Sequence, residues 1–143
     1  MIRTALIRTA LITTALAAVI AMAVIASVAR AEDPVVARPV QSEKLPNVPG
    51  KSLTAVVVTY APGGKSQSHH HAGSVFVYVL SGQVRSEVSG MGPAKVYKAG
   101  ETFFEPPGSA HLVSENASAT EPASILAVFV ADDGAKLTTY DSK

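Results

Sequence analysis

The stretch Ser74-Val75-Phe76-Val77-Tyr78-Val79-Leu80-Ser81-Gly82-Gln83-Val84-Arg85-Ser86-Glu87-Val88-Ser89 decides the fold. Valines at 75, 77 and 79 alternate with Phe76, Tyr78 and Leu80, which gives the period of two that a strand requires. Ser81-Gly82 marks a tight turn, and the chain resumes as a second strand from Gln83 to Ser89. Working outward, β-branched and aromatic runs recur at Leu53 to Tyr60, Ser66 to His71, Ala94 to Lys98, Glu101 to Glu105, Ala110 to Glu115 and Ser124 to Ala131. Between them lie Ala61-Pro62-Gly63-Gly64, Gly90-Met91-Gly92-Pro93, Ala99-Gly100 and Pro106-Pro107-Gly108-Ser109, all sequences that turn. Many short strands at near-regular spacing predict an all-β sandwich, jelly roll or small barrel, with no helix after the leader. A barrel of this size encloses side chains or one small ligand, so inward-facing polar residues are informative.

The chain has 143 residues, which argues for one domain. It contains no cysteine, and this excludes a disulfide scaffold, a thiolate metal site and a catalytic thiol. A formal charge of +1 without any dense Lys/Arg run argues against a nucleic-acid partner. Residues 1–31 stand apart, with Arg3 and Arg8 ahead of an uncharged stretch from Thr9 to Ala29 that ends in Ala29-Arg30-Ala31. This is the layout of a signal peptide cleaved after Ala31, which predicts a periplasmic or secreted protein. The alternative is an uncleaved signal anchor, the one route to a membrane. Residues 32–143 carry nine basic and eleven acidic side chains. Four prolines make residues 32–50 an extended arm or edge segment, residues 51–131 form the barrel, and residues 132–143 are a tail.

The four histidines are His69, His70, His71 and His111. On a strand, His69 and His71 share one face and His70 takes the other. Two imidazoles so placed, joined by His111 after its Pro-Pro-Gly turn, make a facial set for one metal ion; the alternative is three solvated histidines in a loop and one unrelated histidine.

Two motifs in these residues resemble the cupin superfamily. Gly64, His69, His71 and Gly82 match its first motif, with Gly64 one residue closer to the histidines than usual, and Gly100, Pro106, Gly108 and His111 match its second. The resemblance covers roughly Leu53 to Val130 and implies a single β-barrel, a jelly roll of two antiparallel sheets. It also implies that His69, His71 and His111 are metal ligands. The usual ion is then a divalent transition metal, Fe2+ first, with Zn2+, Mn2+, Ni2+ or Cu2+ as alternatives.

Two positions depart from the family pattern. A glutamate ligand usually follows the second histidine by four residues, where this chain has Val75; an asparagine usually follows the later histidine by four, where it has Glu115 and then Asn116. The resemblance therefore implies a three-histidine site with an additional open position for an anionic or bidentate oxygen ligand. Two carboxylates are candidate catalytic residues. Glu105, between Phe104 and Pro106, is suited to proton transfer or to acting as a remote fourth ligand, and Glu115 shares a face with His111 by strand parity. Each is also readable as a surface glutamate at a strand end. His70 faces outward or supports a ligand; Tyr60 is a candidate cavity wall, and Tyr78 packs elsewhere. Asn116-Ala117-Ser118 matches a glycosylation pattern by chance.

The expected function is that of an exported metal-binding protein, either a dioxygenase-like enzyme acting on a small organic molecule or a non-catalytic metal or small-ligand binder. Its partners would be that small molecule and, through the proline arm, a second subunit in a homodimer.

Overall fold

The computed structural model describes residues 33–142, so the leader lies outside the described residues. Ten strands and no helix form among them. They are β1 (Val35–Lys44), β2 (Lys51–Tyr60), β3 (His69–His71), β4 (Ser74–Ser81), β5 (Gln83–Val88), β6 (Lys95–Lys98), β7 (Thr102–Glu105), β8 (Ala110–Asn116), β9 (Ala123–Asp132) and β10 (Thr138–Tyr140). Two five-stranded antiparallel sheets result, in the orders β1-β2-β9-β4-β7 and β10-β3-β8-β5-β6. This is the two-sheet jelly roll that the motifs imply.

Alternation drives the packing. On β4 the side chains of Val75, Val77 and Val79 are fully buried while Phe76, Tyr78 and Leu80 are exposed on the outer face. On β9, Ala123, Ile125, Ala127, Phe129 and Ala131 point inward, and with Val56, Val84 and Phe103 they fill the core. Each fully buried valine of this kind contributes about 1.5–3 kcal/mol by leaving water. The turn at Gly82 admits only glycine: φ is +69°, and a Cβ would come within 2.6 Å of the Pro122 carbonyl oxygen. Gly64 is fixed by space instead, because a Cβ there would run into the Pro34 carbonyl where β1 begins.

The barrel is wider in sequence than residues 51–131. The proline-rich segment folds as β1 and pairs along β2 of the same chain, with a register shift between Pro39 and Gln41. Proline, which has no ladder donor, is tolerated there because β1 is an edge. At the other end the tail supplies β10, which pairs with β3. The strand expected from Ser66 shortens to His69–His71; Lys65 forms a lone bridge to Glu115, and Ser66 donates its N–H to the Ser114 carbonyl.

The most consequential irregularity is in β8. Val88 lies opposite His111 and Glu87 opposite Val113, so Leu112 is an extra residue with no partner on β5. Such a bulge reverses the inward–outward parity of everything beyond it. Ser114 and Asn116 therefore face inward and are buried, and Glu115 faces the other way.

Candidate metal centre

His69 and His71 project inward from β3, and His111 projects from the directly opposed position on β8, since His69 and His111 are register partners. All three are buried, and one ring nitrogen of each lies within 4.8 Å of the others. The turn before β8 sets the third. Ser109 donates its N–H to the Pro106 carbonyl at 3.1 Å and Gly108 takes φ +75°, so proline and glycine occupy the two positions a type II turn asks of them. That turn separates Glu105, the last residue of β7, from β8, and so folds Glu105 back onto His111.

Glu105 is 3% exposed. Its Oε2 lies 3.2 Å from His111 Nδ1 and 3.5 Å from His71 Nε2, yet it has no hydrogen-bond partner among the described residues. The register accounts for its position: Glu105 is directly opposite Val75 on β4. Directly opposed side chains leave the sheet on the same face with Cβ atoms about 5 Å apart. Glu105 thus brings a carboxylate to the inward face that Val75 occupies, one strand over.

The imidazoles are oriented by the backbone around them. His69 Nδ1 donates to the Gln67 carbonyl at 2.7 Å, and His71 Nδ1 donates to the Leu137 carbonyl at 3.0 Å with Thr138 Oγ1 at 3.2 Å. In both rings this leaves the Nε2 lone pair free, as metal-binding histidines require. Burial holds the pKa of His69 and His71 below the usual 6.5, with the Glu105 charge acting in the opposite direction, so both are neutral at neutral pH. His111 Nε2 meets Ser86 Oγ at 2.9 Å.

A cavity of about 240 Å³ opens onto this cluster. Tyr60 lines it; its hydroxyl pairs with Ser114 Oγ at 2.8 Å, and burial pushes its pKa up to about 12, so it remains a phenol. The donor set fits a divalent first-row transition ion, because three buried imidazoles, two of them with Nε2 free, converge with a buried carboxylate oxygen that otherwise lacks a partner.

Glu115, expected by parity beside His111, is not brought into the cluster. The Leu112 bulge turns it outward, where it meets Lys65 at 3.1 Å and Arg85 at 3.6 Å. Asn116, one residue later than the motif's usual asparagine, is buried in its place; its amide spans the Ala61 and Glu121 carbonyls and accepts the Ser118 N–H, so it is no exposed glycosylation acceptor. His70 faces outward to Asp141 at 3.1 Å, and Tyr78 lies on the outer face. Sequence reasoning missed Ser86, whose inward parity between Val84 and Val88 was the available signal, and the whole contribution of β10. There Tyr140 stacks edge-on against His69 at 5.7 Å, and Asp141 accepts from Ser68 Oγ.

Residues 56–129, just over half of the chain, match the Cupin domain family. A germin-like protein, subfamily 2 member 2, of Arabidopsis thaliana is 36% identical over 93 residues, 61% of this chain; the chain spans only 41% of that protein's length. Among solved structures, an uncharacterized conserved protein with a double-stranded β-helix domain from Klebsiella pneumoniae superposes with a TM-score of 0.59 at 24% identity, covering 81% of this chain and 91% of that one. Recombinant oxalate oxidase in complex with glycolate superposes with a TM-score of 0.59 at 20% identity, over 78% and 57%. The chain belongs to the cupin family.

Proposed function

We propose that this is an exported, metal-dependent oxidative enzyme of the dioxygenase-like kind. In this reading His69, His71, His111 and Glu105 hold one divalent transition ion, iron(II) first among the candidates, and a small organic molecule binds through oxygen in the cavity beside them. The observation that carries the reading is Glu105 Oε2, buried, without a hydrogen-bond partner and pointed at two imidazoles. Burying such an oxygen costs about 1–3 kcal/mol or more unless something coordinates it. A bound ion would polarise substrate oxygens and, as iron(II), give access to dioxygen chemistry. The chain's own residues orient the imidazoles of His69 and His71 through Gln67 and Leu137, keep those two neutral by burial and enclose the substrate in mainly apolar walls. That oxalate oxidase, a relative in fold, is seen with glycolate supports a small oxygen-rich ligand.

The test is elemental analysis of the purified protein, followed by oxygen uptake after anaerobic reconstitution with Fe(II) and addition of diketones, flavonols or small organic acids. About one ion per chain and uptake that vanishes in His69→Ala, His71→Ala and His111→Ala support the reading; metal content unchanged by those substitutions refutes it. One observation favours a binder without turnover: among the described residues Glu105 is the only carboxylate that lines the cavity, leaving no separate proton acceptor once it holds an ion. Stoichiometric metal with no uptake would select that alternative. Export is tested by the mass of the mature chain, expected to begin at Glu32.

A further inference from the structure

The charge-bearing groups of the cavity lie at one place, the histidine cluster and Glu105. Tyr60, Ser66, Ser114, Thr138 and Tyr140 add uncharged hydroxyls, and the remaining walls are mainly apolar, among them Val56, Val58, Ile125 and Ala127 with Val35 and the exposed Ala37 of β1. Among the described residues no lysine or arginine lines it, and Glu105 is its one carboxylate. Its volume, about 240 Å³, is the liquid volume of roughly eight waters, so the ligand is small.

Charge then selects the ligand, given the metal reading proposed above. A divalent ion facing the Glu105 carboxylate and three neutral imidazoles keeps one uncompensated positive charge, which one anionic group neutralises. A second anionic group at the far end of the same ligand would lie against uncharged, mainly apolar walls without a cation, and an unpaired charge partly withdrawn from water is unfavourable. We infer that the substrate is a small monoanionic organic acid with a second oxygen donor beside its carboxylate and an uncharged, apolar remainder. Dicarboxylates of the same length should bind more weakly, because the lining offers their second charge no cation.

A matched pair tests this. 2-Oxopentanoate and 2-oxoglutarate share a chain length and a chelating 2-oxo acid end, and differ in a terminal methyl against a terminal carboxylate. The full chain is loaded with Mn(II) under nitrogen, its metal content is measured, and each acid is titrated calorimetrically. The expected result is binding of 2-oxopentanoate at least about tenfold tighter than 2-oxoglutarate. In Ala37→Lys, which places a cation at the exposed mouth where folding is not at stake, 2-oxoglutarate should gain several-fold and 2-oxopentanoate should not. Fully loaded protein that binds the two acids equally, in reverse order or not at all overturns the substrate class, as does an Ala37→Lys variant with no gain for the dianion. Loading well below one equivalent overturns instead the metal reading beneath it.

Discussion

Moving the Glu105 carboxylate across the β4–β7 ladder separates its proposed role at a metal ion from its role in the fold. Val75 and Glu105 are register partners, 0% and 3% exposed. In Glu105→Val the metal-free protein loses a buried oxygen that no group satisfies, and the atoms removed border the cavity, so no closed void forms. The apo protein should therefore gain about 1–3 kcal/mol, the cost of an unsatisfied buried polar group. Metal affinity should fall by roughly 100-fold or more, since even the groups that merely support a ligand are worth about 10- to 100-fold. Val75→Glu alone sets two carboxylates side by side and should destabilise the apo protein. The double variant Val75→Glu/Glu105→Val restores one carboxylate on the same face about 5 Å away and should recover affinity to within about tenfold of the parent. Urea unfolding in EDTA reads the first quantity, and competition with a chromophoric chelator reads the second. Undiminished affinity in Glu105→Val, or an apo protein less stable than the parent, would refute the assignment of Glu105.

Three further outcomes follow from the same geometry. Burial lowers the pKa of His69 and His71 in the folded state, so the unfolded chain takes up protons first as pH falls below 6.5; metal-free stability should be complete above that value and decline beneath it, and urea midpoints that do not drop between pH 7.5 and 5.5 would contradict it. A chain ending at Lys136 loses the Leu137 carbonyl and Thr138 that hold the His71 ring, and its metal affinity should drop about 10- to 100-fold in the same chelator assay. Glu115→Gln weakens partly exposed pairs with Lys65 and Arg85, which should cost about 1 kcal/mol and leave metal affinity unchanged; a loss of metal there would return Glu115 to the site.

The strands and the three histidines were legible because both depend on distances along the chain. Alternation at Val75, Val77 and Val79 survives burial, and His69 and His71 share a face whatever lies beside them. Glu105 and Glu115 show where such reading stops. The approach of Glu105 to His71 and His111 depends on which residue of β7 opposes Val75 on β4, a register that no spacing along the chain encodes. Glu115 fails for a related reason, since parity holds only along an unbroken ladder and Leu112 breaks it. There the sequence did carry a trace of the break. The motif's asparagine arrives one residue late, at Asn116, and one residue is the length of the bulge. The buried hydrogen bonds of Asn116 to Ala61, Glu121 and Ser118 pin the inward position, so the extra residue must be absorbed nearer to His111, and Leu112, free to face solvent, absorbs it. A motif residue displaced by one is thus better read as the sign of a bulge than as a substitution, and that reading would have turned Glu115 outward and kept Glu105 as the one carboxylate that lines the cavity among the described residues.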